Sequence, residues 1–225
     1  MILAIHAIPE PDRLAAIAER IALLDWRDGR ETAGAVAAEV KRNEQAIMDS
    51  APGRALQSEL SALLADHPVI RAAAQPRRFS PLLISRTGEG GGYGPHVDNA
   101  LMGRGDRRIR TDLSFTLFLT PPEEYDGGEL VIDAAGTTQQ VKGAPGHLML
   151  YPSGSIHEVR PVTRGTRIVC VGWIESMIED AARRELLFDL ENLRASLRRQ
   201  LASQSAELLT LDKTIANLLR MWACA

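Results

Sequence analysis

His96-Val97-Asp98 and, much further along the chain, His157 are residue types that coordinate a metal ion. Two imidazoles and one carboxylate make up the 2-His-1-carboxylate triad, which holds Fe(II) on one face and leaves the opposite positions open. Residues i and i+2 of an extended segment project to the same side, so His96 and Asp98 can share one ion. His157 must then arrive from elsewhere in the fold. It lies in the alternating run Ser155-Ile156-His157-Glu158-Val159, which predicts a strand. A turn-like stretch from Arg160 to Gly165 follows, and then a second predicted strand from Arg167 to Trp173. A hairpin of this kind would put His157 and Arg167 on neighbouring antiparallel strands, with both side chains facing one interior.

Arg167 extends the chemistry. A triad with open positions leaves room for a bidentate 2-oxo acid and then O2, whereas a closed four-ligand site would not. The planar guanidinium of Arg167 suits the far carboxylate of 2-oxoglutarate, which it can take with two parallel hydrogen bonds. A charge-assisted hydrogen bond is worth roughly 1.5–3 kcal/mol. Loss of the fork should therefore weaken co-substrate binding by about one to two orders of magnitude. The constellation predicts an iron- and 2-oxoglutarate-dependent oxygenase. Two rival readings use the same residues: a cupin-like metalloenzyme of another class, and a non-catalytic module that senses iron or 2-oxoglutarate. Of the five histidines, the remaining three, His6, His67 and His147, are expected to be structural or exposed.

A chain of 225 residues, 45% of them hydrophobic, can build one substantial core, with or without a small annex. A net charge of -3 and a pI near 6.0, with no dominant basic stripe, argue against nucleic acid as a partner. Cys170 and Cys224 are too few for a disulfide framework, and Cys170 in its apolar strand is expected to be a buried reduced thiol. The apolar start, Met1 to Ile5, has no basic region before it and soon meets Pro9-Glu10-Pro11-Asp12. No later apolar run is long enough to cross a membrane. These features predict a cytoplasmic protein, in a reducing environment that would keep iron ferrous.

The elements that must position the site divide the chain in three. Residues 1–77 read as a helical flank. It holds a short first strand, a helix from about Pro11 to Leu24 with Leu14, Ile17, Ala18, Ile21 and Leu24 on one face, and a second helix from about Pro52 to Asp66 with Leu56, Leu60, Leu63 and Leu64 inward. The polar stretch from Trp26 to Gln45 between them has no clear period. Residues 78–177 change to a period of two. Short runs such as Leu82–Ile84, Ser114–Leu119, Glu129–Ile132 and His147–Tyr151 are separated by turn residues, including Asp126-Gly127-Gly128 and Pro152-Ser153-Gly154. That pattern predicts a β sandwich or jelly roll. Residues 178–225 return to helix. Leu186, Leu190, Leu193 and Leu197 form one stripe, and Leu208, Leu211, Ile215, Leu218 and Trp222 form another. The stripes fit a homo-oligomer interface or packing against the β core. The loop Gly88-Glu89-Gly90-Gly91-Gly92-Tyr93-Gly94-Pro95 lacks the Gly-Lys-Ser/Thr ending of a phosphate-binding loop. It reads as a substrate-admitting loop or a plain strand connection, and Tyr93 as a pocket contact or a loop anchor.

Several motifs together resemble one family. Tyr93-Gly94-x-His96-Val97-Asp98-Asn99-Ala100, Arg110-Thr111-Asp112-Leu113-Ser114, Tyr125-Asp126-Gly127-Gly128-Glu129-Leu130 and Tyr151-Pro152-Ser153 are similar to the PKHD-type hydroxylases, the PiuC-like bacterial iron/2-oxoglutarate dioxygenases. The likeness includes Trp26-x-Asp28-Gly29-Arg30-x-Thr32-Ala33-Gly34 and Val40-Lys41-x-Asn43-x-Gln45 upstream, and Pro161–Gly165 and Glu185–Leu190 downstream. It thus spans nearly the whole chain. The resemblance implies an α+β fold with a double-stranded β-helix, jelly-roll or cupin-like, flanked by N-terminal and C-terminal helices. It implies Fe(II) on His96, Asp98 and His157, with 2-oxoglutarate on Arg167. O2 is then the oxidant and L-ascorbate (vitamin C) the agent that keeps iron reduced. Tyr93, Asn99 and Asp112 become second-tier pocket candidates, and a plain structural hydrogen bond is the alternative for Asp112. One departure stands out: Thr87 follows Arg86 where the family commonly has Tyr. The resemblance also carries a loose association with bacterial iron uptake. A small metabolite, a siderophore-like molecule and a protein side chain all remain open as substrates.

Overall fold

The computed structural model describes residues 1–32, 38–134 and 136–224. Ala33 and Gly34 of the upstream motif lie outside the described residues. The chain opens with β1 (Leu3–His6) and α1 (Pro11–Ala22), then the short strands β2 (Trp26–Asp28), β3 (Lys41–Arg42) and β4 (Glu44–Ala46). Helices α2 (Ala51–Asp66) and α3 (Pro68–Ala74) complete the flank. The β-rich stretch runs through β5 (Pro76–Phe79), β6 (Leu83–Thr87), β7 (Gly92–His96), β8 (Leu101–Met102), β9 (Ile109–Arg110), β10 (Leu113–Phe118), β11 (Tyr125–Gly127), β12 (Leu130–Ala134), β13 (Thr137–Val141), β14 (His147–Pro152), β15 (Ile156–Val159), β16 (Val162–Gly165) and β17 (Arg167–Ser176). Helices α4 (Ala181–Leu197) and α5 (Ala206–Trp222) end it.

Among the described residues the strands form a larger sheet in the order β1-β14-β10-β17-β6-β4-β2, with β5 also on β17, and a smaller sheet in the order β13-β12-β15-β7-β3. The pairs β11-β16 and β8-β9 stand apart. The central strand β10 is buried along its whole length. Its period of two sorts the side chains by face. Leu113, Phe115 and Leu117 pack with Ile17, Leu56, Leu60 and Ile70 of the helical flank. Phe118, on the other face, joins Met149, Tyr151 and Val169 against Leu130 and Ile132 of the smaller sheet. The larger sheet is thus the middle layer of three, with helices behind it and the smaller sheet in front.

Local chemistry explains the flank. Pro11 starts α1, and Ile17 and Ile21 are its buried face. The Ser50 side chain accepts from Gly53 N at 3.2 Å and caps α2. The ring of His67 accepts from Ile70 N at 3.4 Å and caps α3, so His67 is structural, as expected. His6 and His147 are register partners on β1 and β14, with rings stacked at 4.4 Å. The stretch from Trp26 to Gln45, without period in the sequence, contributes short strands to both sheets: β3 pairs with β7, and β4 pairs with β6. Residues 41–46 therefore tie one edge of each sheet together.

Two expectations are corrected. First, β15 and β17 are not the arms of one hairpin: β15 pairs with β12 and β7, whereas β17 pairs with β10, β6 and β5. The intervening residues are not a turn, because Val162–Gly165 form β16 on β11. Gly165 permits this with φ +74° and with Glu124 O only 2.1 Å from where a Cβ would stand. His157 and Arg167 are therefore on different sheets. Second, the glycine-rich segment is a strand connection and then a strand. Gly91 N bonds Gly88 O in the turn, and β7 begins at Gly92. A Cβ at Gly91 would lie 2.7 Å from Arg42 O, so close backbone packing is what this glycine serves. The turn at Pro152-Ser153-Gly154 is present, whereas Gly127 and Gly128 take positive φ at the bulge leaving β11.

At the C-terminus, α4 packs on α3 and α5. Ile178, Leu187 and Ile215 are its buried centre, joined by Leu190, Leu211, Leu218 and Trp222. The second stripe read from the sequence is this interface. The first is out of phase, since Leu187 is buried while Leu186 and Leu193 are exposed. Cys170 is buried and free, and burial pushes its thiol pKa up to about 12. Among the described residues no helix is long and apolar enough to cross a membrane. Leu117 points to the helical layer, so Leu117→Ala should cost about 2–5 kcal/mol in urea unfolding. Its Mn(II) affinity, measured below the unfolding transition, should match that of wild type.

Candidate metal centre

The smaller sheet supplies both imidazoles. His96 ends β7 and His157 lies in β15, and the two are direct cross-strand partners with ring centroids 4.2 Å apart. Asp98 follows two residues after His96, beyond the end of the strand. One ligand atom from each of His96, Asp98 and His157 falls within 4.8 Å of the others, and His157 Nε2 is 3.6 Å from Asp98 Oδ2. This is the one such cluster among the described residues.

Backbone carbonyls orient both rings. His96 Nδ1 lies 2.8 Å from Gly94 O, and His157 Nδ1 lies 3.0 Å from Ser155 O. A carbonyl only accepts, so each Nδ1 carries the proton and each Nε2 presents a lone pair. The same i−2 geometry recurs on both strands. Asp98 is held from the larger sheet: Ser114 Oγ lies 2.6 Å from Asp98 Oδ2 and 2.7 Å from Ser153 Oγ. Outer partners of this kind fix ligand orientation and raise metal affinity. Ser114 and Ser153 each end one of the family-like motifs, where residue type alone assigns them no role. Their signal was a hydroxyl face, Ser114 with Thr116, alternating with the apolar face of β10, and a turn serine directly after Tyr151-Pro152.

Burial and the neighbouring His157 push the His96 pKa down to about 4. The ring is therefore neutral, as a metal ligand must be, across the physiological range. Tyr93 stacks on it with centroids 3.6 Å apart and an interplanar angle of 17°. Tyr151 meets His157 edge-on at 5.1 Å.

The triad opens into a cavity lined by both sheets. Arg167 stands in its wall on β17, opposite Thr87 on β6. It is only 2% exposed, and its Nε and Nη2 have no hydrogen-bond partner among the described residues. Burial lowers its pKa from the usual guanidinium value, a cost that Tyr125 and Tyr151 beside it offset in part. An unpaired buried donor fork is expensive and calls for an anion. Thr87 in place of Tyr thus bears directly on this corner of the cavity. Asn99 and Tyr93 also line the cavity. Asp112 does not. It takes a two-pronged bond from Arg110 at 2.7 and 3.0 Å and accepts from Ser176 N at 2.8 Å, a structural role. Lys41, Asn43, Gln45 and Tyr151, which stand in the family-like motifs but were assigned no role from residue type, line the cavity as well.

The larger sheet facing a smaller one, with the triad between them, defines the class. Residues 82–175 match the family model of the 2OG-Fe(II) oxygenase superfamily. Solved structures agree on the fold. A prolyl hydroxylase from Trichoplax adhaerens, in complex with a hypoxia inducible factor peptide fragment, is similar over 82% of this chain and 86% of its own, with TM-score 0.59 at 14% identity. A 2OG-Fe(II) oxygenase family oxidoreductase from Burkholderia pseudomallei covers 77% of this chain and 84% of its own, with TM-score 0.54 at 20% identity. Residues 180–223 match the PKHD-type hydroxylase C-terminal domain. A PKHD-type hydroxylase of Hyphomonas neptunium is 53% identical over 94% of this chain and 95% of its own length. Another, from Synechococcus elongatus, is 47% identical over 99% and 100%. The chain belongs to the PKHD-type hydroxylase family.

Two outcomes test the geometry. Ser114→Ala should lower Mn(II) affinity by about 10–100-fold in anaerobic calorimetry. An unchanged affinity would mean that the Asp98 carboxylate needs no clasp. The His96 pKa lies below its unfolded value near 6.5, so the unfolded chain takes up this proton first. The stabilisation is complete above about pH 6.5 and is lost as pH falls toward 4. Urea unfolding of metal-free protein should show this decline, and His96→Gln should flatten it.

Proposed function

We propose that the chain is an Fe(II)- and 2-oxoglutarate-dependent dioxygenase that hydroxylates a C–H bond, with its sheets closed into a double-stranded β-helix around the site. The observation that carries this reading is the pairing of a convergent His96-Asp98-His157 triad with an Arg167 donor fork that is unpaired among the described residues, in one buried cavity. The donor set fits the group. Two neutral imidazoles and one carboxylate suit Fe(II) and leave positions open, and a buried guanidinium whose Nε and Nη2 have no hydrogen-bond partner among the described residues suits a dicarboxylate.

When bound, Fe(II) supplies the O2 chemistry that couples oxidative decarboxylation of 2-oxoglutarate, giving succinate and CO2, to insertion of oxygen into the substrate. The protein's part is binding, orientation and the exclusion of water. His96 and His157 offer Nε2, and Asp98 offers a carboxylate oxygen held by Ser114. Arg167 takes the distal carboxylate of the co-substrate from the β17 wall and so orients its 2-oxo acid end toward the triad. Tyr93 and Tyr151 wall the imidazoles off from solvent. L-Ascorbate, as a reductant, would maintain Fe(II) between turnovers.

Asp98→Ala should abolish succinate formation from 2-oxoglutarate and greatly weaken iron binding. Full activity of that variant in a metal-replete assay would contradict the ligand assignment. Arg167→Ala should raise the 2-oxoglutarate dissociation constant about 10–100-fold in calorimetry on metal-loaded protein, with Mn(II) affinity kept.

A further inference from the structure

Arg167 does not hold the only unmet donor in its corner of the molecule. The hydroxyl of Tyr125, a fully buried residue on β11, also has no hydrogen-bond partner among the described residues. The two side chains meet at Gly128. A Cβ there would lie 3.1 Å from Tyr125 Cε2 and 3.0 Å from Arg167 Cδ, and this glycine takes φ +67°. Cε2 adjoins the ring carbon that bears the hydroxyl, and Cδ adjoins Nε. The hydroxyl and the guanidinium therefore set out from neighbouring points, close enough to act on each other electrostatically. Even so, the hydroxyl closes no hydrogen bond on the guanidinium.

The surroundings hold both groups in place. Lys142 Nζ donates to Tyr125 O at 2.5 Å and stands 4.2 Å from the centre of the ring. Val162 reaches the same Gly128 position at 3.0 Å, and Arg167 Cζ lies 5.6 Å from the centre of the Phe118 ring. Both are buried apolar side chains. Burial raises the Tyr125 pKa, so its hydroxyl keeps the proton and can donate. Arg167 Nε and Nη2 with Tyr125 Oη thus make three buried donors without a partner among the described residues. Leaving such groups unmet is costly. A carboxylate has two oxygens and about four lone-pair sites, enough for a guanidinium fork and a third donor.

We propose, on the basis of the dioxygenase reading above, that Tyr125 is a second anchor of 2-oxoglutarate, its hydroxyl donating to the distal carboxylate that Arg167 receives. Arg167 brings charge and a planar fork from β17, and Tyr125 adds a neutral donor from β11. No phenol comes from Thr87, the register partner of Arg167. Donors on two separate strands fix the carboxylate more closely than the fork alone. Gly128, without a side chain, is what lets them converge.

The test compares 2-oxoglutarate with 2-oxopentanoate, the same five-carbon 2-oxo acid with a methyl in place of the distal carboxylate. Calorimetry on Mn(II)-loaded wild type, Tyr125→Phe and Arg167→Ala gives the dissociation constants of both acids. Tyr125→Phe keeps the ring and removes only the hydroxyl. It should weaken 2-oxoglutarate about ten-fold or more and leave 2-oxopentanoate as in wild type. Equal 2-oxoglutarate affinity in wild type and Tyr125→Phe would overturn the proposal and give the hydroxyl to a buried water. Equal weakening of both acids would also overturn it, since a merely structural role acts without regard to the distal group. Binding that is lost in Arg167→Ala but kept in Tyr125→Phe would leave the dioxygenase reading standing while this proposal fails. Wild type that binds no 2-oxoglutarate at all would remove that reading, and the proposal with it.

Discussion

The cross-strand pairing of His157 with His96 is the constraint on which the rest of the site depends. Antiparallel partners hold their side chains about 5 Å apart on one face, a spacing that backbone hydrogen bonds enforce without any help from a metal. Asp98 joins them because it leaves the strand two residues later and is caught by Ser114 from the opposite sheet. Two sheets must therefore face each other for the triad to exist. Their apposition is driven by the apolar cluster of Phe118, Leu130, Ile132, Met149, Tyr151 and Val169 beside it.

That apposition also explains how a buried, charged cavity is tolerated. Strands β10 and β17 each present an apolar face to the helices and a mixed face to the smaller sheet. The same alternation that buries Leu113, Phe115 and Leu117 aims Ser114 and Thr116 into the cavity. On β17 it buries Cys170 and Ile174 behind the sheet while aiming Arg167, Val169 and Val171 forward. Packing energy and site geometry are thus read from opposite faces of the same strands. A substitution on the helix-facing side acts on stability, whereas the forward face carries both the ligand partners and the apolar contacts of Phe118 and Val169 that hold the sheets together.

Much of this was legible in the sequence, for physical reasons that differ by element. The facing helices of the flank showed through their period, since Ile17, Ile21, Leu56, Leu60 and Leu64 are one buried face each. The triad and Arg167 showed through residue type, because few other chemistries use those groups at those spacings. What did not show was long-range pairing. Periodicity says that β15 and β17 are strands, but not that the chain changes sheets between them through β16. The residues from Trp26 to Gln45 gave no period because strands of two or three residues, shared between two sheets, are too short to have one.

The central claim is that the triad and Arg167 together receive iron and 2-oxoglutarate at one centre. The most direct test is anaerobic addition of 2-oxoglutarate to Fe(II)-loaded protein, followed by visible absorption. The account predicts a metal-to-ligand charge-transfer band that saturates at one equivalent and is weakened or absent in Arg167→Ala at the same concentration. Fully iron-loaded wild-type protein that develops no band would contradict it and would leave a metal centre with some other chemistry.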